Sequence, residues 1–203
     1  MEIMNSNKTL YEKQIQDRSK KRYLLCLLVR YKKHLYLSYI RYKARKNGAN
    51  IGENSVFPLS LAKKANSNLT IGDNSSIQTD LFGLLAPITI GNNVIRGSGV
   101  EILTCSHNID SPDWEFKAYG IEISDYVWIA TRIFVLPSCT KIGEGAVCGG
   151  GSLVVKNVEE MSVVSGSPAE HIKYRKQVHS NLVVESLLGG DYRTYKKTWA
   201  NKK

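Results

Sequence analysis

Aliphatic residues return every six positions between Ile123 and Val158: Ile123, Ile129 and Val135, then, after one extra residue, Ile142, Cys148 and Val154. The position four beyond each is small or branched, namely Val127, Ile133, Cys139, Ala146, Ser152 and Val158. A helix would repeat every 3.6 residues and a lone strand every two, so neither accounts for this spacing. A fixed short period marks a stacked repeat. Six residues suffice for one short strand and one corner, with Gly143 and Gly145 among the corner residues, and three such units close a triangular coil. The predicted fold is mainly β, a parallel β-helix.

The same pattern begins earlier and less regularly. Ile71-Gly72-Asp73-Asn74-Ser75 with Ile77, and Ile90-Gly91-Asn92-Asn93-Val94 with Val100 and Ile102, repeat it, and Ile51-Gly52-Glu53-Asn54-Ser55 opens it. Two positions break the rule. Arg96 falls where an inward aliphatic belongs, and a guanidinium is costly to bury without partners, so local rerouting or a nearby carboxylate is expected. Lys141 is the extra residue and reads as a one-residue bulge at a corner.

Before Asn47 the pattern changes. Leu24, Leu28, Tyr31, Leu35, Tyr39 and Tyr42 recur at spacings of three and four, one apolar stripe on a helix, with Arg22, Lys32, Lys33, Arg41 and Lys43 around it. Residues 1–46 carry 13 Lys and Arg against Glu2, Glu12 and Asp17, whereas the rest of the chain carries 15 of each sign. All of the net charge of +10 therefore lies in this extension. Such a helix either packs its stripe on the β-helix or a neighbouring subunit, or lies on an anionic membrane surface. Nucleic acid is not the expected partner, because no recognised binding module accompanies the charge. The organisation expected is a basic amphipathic helical extension (1–46), a β-helix domain (47–169) and a short helical tail (170–203).

A chain of 203 residues, 42% hydrophobic, supports one domain of this kind with a sizeable core. The longest apolar run, Leu24 to Val29, is too short to cross a bilayer, and no cleavable signal follows it, so a cytoplasmic location is expected. Cys26, Cys105, Cys139 and Cys148 lack metal-ligand pairing, and the last two occupy inward positions of the repeat, where a free cysteine packs as a small hydrophobe.

Four histidines offer base chemistry near neutral pH. His34 lies in the basic helix, and His171 and His179 lie beyond the repeat. His107 sits within it, at the start of a segment from Asn108 to Gly120 that breaks the hexad rhythm and must loop out. Interruptions of repeat folds are where binding surfaces are built. Asp110, Asp113, Trp114 and Glu115 lie in that loop, suited to sugar hydroxyls and a pyranose face or simply to solvent. Cys105, two residues from His107, raises a Cys/His pair as a further reading.

Taken together, Val127-Trp128-Ile129-Ala130, Leu136-Pro137, Ile142-Gly143-Glu144-Gly145-Ala146-Val147, Gly151-Ser152-Leu153-Val154 and Val164-Ser165-Gly166-Ser167-Pro168-Ala169 resemble the hexapeptide-repeat acyltransferases of the left-handed β-helix fold. Thr104-Cys105-Ser106-His107-Asn108-Ile109-Asp110-Ser111-Pro112 is most similar to the branch of colanic acid and other exopolysaccharide O-acetyltransferases. The resemblance covers roughly residues 47–175. It implies a homotrimer with acetyl-CoA bound between subunits and a sugar hydroxyl as acceptor. His107 matches the family's base, which an alcohol requires because it is a poor nucleophile until its proton leaves. Trp128, Thr131, Gly150 and Lys156 match the donor groove, and Lys173 and Arg175 the cations near the nucleotide phosphates. Asn108, Asp110 and Trp114 are the acceptor candidates. This chemistry needs no metal.

The chain departs from the family pattern in places. Gly150 stands where alanine is usual, Val155 where threonine is frequent, and Glu170 where a basic residue is frequent, which shifts the service of the phosphates to Lys173, Arg175 and Lys176. A small-molecule acetyltransferase shares every motif, and a non-catalytic β-helix scaffold shares the fold. A γ-class carbonic anhydrase would need three histidines on zinc, whereas only His107 lies on the repeat.

Overall fold

A computed structural model describes residues 9–202. The first eight residues of the basic extension and Lys203 of the tail lie outside the described residues.

Most of the strands form three sheets that the chain visits in rotation. The first holds Asn50–Ile51, Leu69–Ile71, Ile88–Ile90, Ile121–Ile123 and Lys141–Ile142. The second holds Ser76–Ile77, Ile95–Arg96, Trp128–Ile129, Val147–Cys148, Ser162–Gly166 and Ala169–Tyr174, and the third Glu101–Ile102, Phe134–Val135 and Leu153–Val154. Every pairing in them is parallel except the last of the second sheet, Ser162–Gly166 with Ala169–Tyr174. From Ile121 the order is first, second, third, then first, second, third again, which is the six-residue rhythm of the sequence.

Register turns that rhythm into a core. Ile71, Ile90, Ile123 and Ile142 stack in one column, Ile77, Arg96, Ile129, Cys148 and Val164 in a second, and Ile102, Val135 and Val154 in a third. All of these are buried, as are the residues four beyond the repeat positions, from Val127 to Val158. The first residue of each pair, such as Trp128 or Phe134, points out.

The corner after the first sheet is tight. A Cβ added to Gly52, Gly72 or Gly91 would lie 2.4, 2.6 or 2.3 Å from the Asp73, Asn92 or Asp125 side chain of the next circuit. Those side-chain oxygens accept hydrogen bonds from the amides of Glu53, Asp73 and Asn92, a ladder that ties circuit to circuit. Asn54, Asn74 and Asn93 follow with φ of 59, 54 and 56°, the left-handed region that asparagine tolerates better than most residues.

Irregularities gather on the return from the second sheet to the first. Arg96 is fully buried in the second column and donates to the carbonyls of Thr79, Leu81 and Val100, with its guanidinium 3.8 Å from the centre of the Phe82 ring. Rerouting of Thr79–Phe82 thus supplies the partners; no carboxylate pairs with Arg96 among the described residues. Burial lowers its pKa to about 9, so it remains charged at neutral pH. Further on, Cys105–His107 and Phe116–Ala118 form an antiparallel hairpin outside the three sheets. Lys141 is no bulge: it pairs in regular register with Glu122, and the extra residue is absorbed in the preceding turn, where Asn157 Oδ1 accepts from the Thr140 and Lys141 amides.

Helix α1 (Leu10–Gln16) starts with a capping box between Thr9 and Glu12. Helix α2 (Lys20–Lys46) is capped by Ser19, and short α3 is Leu59–Lys64. The tail expected to be helical begins instead as the strand Ala169–Tyr174, because its antiparallel pairing continues the second sheet; helix is confined to a short 3-10 turn, Val184–Leu188, and α4 (Tyr192–Ala200). The end of α2 places Leu37, Ile40 and Ala44 in the same core cluster as Ile51, Val56 and Leu61, closing the first end of the β-stack. Its start packs on α4, where Tyr23 stacks on Tyr195 and Trp199 and Arg30 pairs with Asp191 at 3.0 Å.

Candidate active site

His107 ends the first strand of the hairpin and is exposed. Its Nδ1 lies 2.6 Å from the Trp114 carbonyl. A carbonyl can only accept, so Nδ1 carries the proton and Nε2 is left with its lone pair, the tautomer of a general base. The Phe116 ring meets the imidazole edge-on at 5.8 Å and limits its rotation.

The loop that holds Trp114 is internally braced. Asn108 and Glu115 bond through the Asn108 amide to the Glu115 carbonyl at 2.8 Å, the Asp110 amide donates to Asn108 Oδ1, and Ser111 Oγ donates to Asp113. Trp114 sits at φ 55°, which swings its carbonyl toward His107 and leaves the indole 62% exposed. Asn108, Asp110 and Trp114 are therefore brought beside His107 on one hairpin.

The remaining candidates lie elsewhere on the surface. Thr131 and Gly150 stack at the corner after the second sheet, where the Gly151 amide donates to the Thr131 carbonyl at 2.9 Å. The amides of Thr131 and Gly150 have no hydrogen-bond partner among the described residues, and a Cβ on Gly150 would meet only the Thr131 carbonyl. This corner presents bare backbone donors, which fits a narrow chain carrying amide carbonyls. Trp128, Val147, Val163 and Lys173 form one outward row across the second sheet, so Trp128 and Lys173 stand about 14 Å apart along it. Lys156 lines a separate cavity of about 490 Å³ with Glu170 and His171. Arg175 donates to the Tyr126 and Gly145 carbonyls at 3.3 and 3.2 Å, which holds part of its guanidinium on the backbone.

No hydrogen bond joins Cys105 to His107 among the described residues. Burial pushes the Cys139 thiol up to about 11 and Cys148 up to about 12, so neither ionises near neutral pH. No group of three His, Cys, Asp or Glu is placed to hold a metal among the described residues. Two features escaped the sequence. The tail folds back so that Val178, Leu182 and Val184 form an apolar groove of about 240 Å³ with Tyr126 and Trp128; no regular element spans Val178 to Leu182, so periodicity carried no signal of it. The Trp114 carbonyl had none, because backbone contacts leave no trace in residue identity.

No family model matches the chain. It is 35% identical over 129 residues to the putative colanic acid biosynthesis acetyltransferase WcaF of Escherichia coli, covering 63% of this chain and 70% of the relative. A putative acetyltransferase of Schizosaccharomyces pombe is 43% identical over 97 residues, 44% of each chain, so the match spans less than half of that relative. Among solved structures, a galactoside acetyltransferase in complex with coenzyme A superposes with a TM-score of 0.54 at 23% identity, covering 83% of this chain and 84% of the other, a likeness of fold. The chain belongs to the hexapeptide-repeat acetyltransferase family, a family of acyltransferases.

Proposed function

We propose that the chain is an acetyl-CoA-dependent O-acetyltransferase acting on a hydroxyl of a carbohydrate, a surface polysaccharide unit or its lipid-linked precursor. The observation that carries this reading is the His107 imidazole, held by Nδ1 on the Trp114 carbonyl with Nε2 open on an exposed hairpin. The acceptor hydroxyl gives its proton to Nε2 as its oxygen bonds to the thioester carbonyl carbon. Collapse of the tetrahedral adduct breaks the carbon–sulfur bond, and the departing thiolate takes the proton back from the imidazolium.

The three rotating parallel sheets are read as a left-handed β-helix, and the assembly as a homotrimer in which the hairpin of one subunit faces the donor groove of the next. Thr131, Gly150 and Lys156 offer backbone groups to the donor's amide chain, Trp128 walls the groove, and Lys173 and Arg175 serve the phosphates. Asn108, Asp110 and Trp114 meet the acceptor. An acetyl-CoA donor places the reaction in the cytoplasm, and no helix among the described residues is long and apolar enough to cross a membrane.

Mass spectrometry of acetylated oligosaccharide repeat units, after incubation with acetyl-CoA, tests the proposal. The His107→Ala variant should turn over about 10²- to 10⁴-fold more slowly than wild type with an unchanged melting temperature, because a general base acts on the transition state. Wild-type turnover in that variant overturns the assignment of His107. Acetylation confined to free sugars or drugs overturns the polysaccharide acceptor, and a monomer with full activity overturns the shared groove.

A further inference from the structure

Helix α2 is built with two working faces. One is inward, carrying Tyr23, Leu37, Ile40 and Ala44 together with Arg30 and Arg41. The other is the apolar stripe of the sequence, and this chain leaves most of it open: Leu24, Leu28, Tyr31, Leu35, Tyr39 and Tyr42 are each between 45% and 61% exposed, with Tyr31 meeting the Tyr192 ring at its edge. Leu25, Val29 and Tyr36 widen the same face. The helix runs about 40 Å, which makes this a far longer apolar track than a scatter of single surface residues.

Charge identifies what fits it. Among its 27 residues α2 has no Asp or Glu. Arg30, Arg41 and Arg45 are committed to partners in the fold, Asp191 for the first and backbone carbonyls for the others. Lys20, Lys21, Arg22, Lys32, Lys33 and Lys46 are exposed and form no ion pair among the described residues. At 100° per residue Lys21, Lys32 and Lys46 fall between the leucines and tyrosines of the open face. A second copy pressing the same face against this one would set lysine against lysine in an apolar contact, which is repulsive. A bilayer surface takes the leucines below the headgroups, the tyrosines at their level, and the lysine ammoniums at the phosphates.

We propose that α2 docks the protein on an anionic lipid surface, lying in the plane of the headgroups with Leu28 and Leu35 inserted. The docking leaves the capping face of α2 in place, so it requires no unfolding of the extension. It stands independently of the acetyl-transfer reading, because vesicle binding is read without donor or acceptor.

The test is flotation of the full-length protein with vesicles of phosphatidylglycerol and phosphatidylcholine, against phosphatidylcholine alone. The expected result is binding to the mixed vesicles at about 50 mM salt, at least about tenfold weaker at about 500 mM, and absent on the neutral vesicles. Lys21→Glu with Lys32→Glu, and separately Leu28→Ser with Leu35→Ser, should each weaken binding at least about tenfold while circular dichroism and solution mass stay at wild-type values. Failure to bind at low salt, or equal binding to neutral vesicles, overturns the proposal. A fall in solution mass in the Leu28→Ser, Leu35→Ser variant also overturns it, since the face would then belong to a second copy.

Discussion

The two circuits from Ile121 to Val158 and the stretch from Ile77 to Gly120 share one architecture and use it differently. In the first, each strand buries one or two aliphatic or small side chains, each corner is four or five residues, and no side chain is lifted out of the stack on a loop of its own. In the second, one column position is a guanidinium, Thr79–Phe82 detours to meet it, and a hairpin carrying His107 leaves the stack. Repetition makes shape cheaply, because each circuit is a template for the next. Reactive groups need unique surroundings, which only a departure from the repeat provides.

Arg96 is the sharpest place to break this contrast. Arg96→Ala should cost about 4 kcal/mol in urea unfolding, since it empties a buried position and strands the carbonyls of Thr79, Leu81 and Val100. More telling is Arg96→Ile, which restores the aliphatic that Ile77 and Ile129 supply on either side. If the column only needed filling, this variant would be neutral. The expected outcome is a loss of about 2 kcal/mol with faster amide hydrogen exchange in residues 79–83, because the detour loses its anchor.

The regular circuits respond to volume alone. Ile129→Ala should cost about 3 kcal/mol, because Ile129 is fully buried between Arg96 and Cys148 and the stacked strands limit collapse around the cavity. Its neighbour Trp128, pointing outward and half exposed, should cost about 1 kcal/mol or less on truncation to Ala. Equal losses in thermal unfolding would refute the inward and outward alternation.

What the sequence made legible follows the same division. Columns were legible because an inward position every six residues constrains residue type strongly: Val127, Ile133 and Cys139 could be placed inside from spacing alone. His107 was legible as an interruption. The brace behind it was not, since Trp114 acts through a carbonyl that any residue owns. Helix α2 shows a subtler limit. Its apolar stripe is real, but the chain packs the opposite side, where Arg41 is buried on the Ser55 carbonyl and half-buried Arg30 pairs with Asp191. Periodicity reports that a face is apolar, not which surface covers it.

The smallest effect concerns the corner that regular and irregular circuits have in common. After the first sheet one position per circuit is left-handed: Asn54, Asn74, Asn93, Tyr126, Gly145 and Met161, with φ between 54 and 66°. The shared conformation implies that backbone, not side chain, selects the residue. Asn93 is the clean case, because its side chain makes no hydrogen bond among the described residues. Replacement by Ala, whose Cβ crowds the following carbonyl in this region, should cost about 1 kcal/mol. Replacement by Gly removes that crowding at a price only in unfolded-chain entropy and should cost about half as much or less. For a chain of this length the difference amounts to roughly 1–2 °C in melting temperature, within reach of differential scanning calorimetry. An alanine variant as stable as the glycine variant would mean that the irregular circuit holds its corner by contacts of its own, and the common architecture of the two regions would then end at the strands.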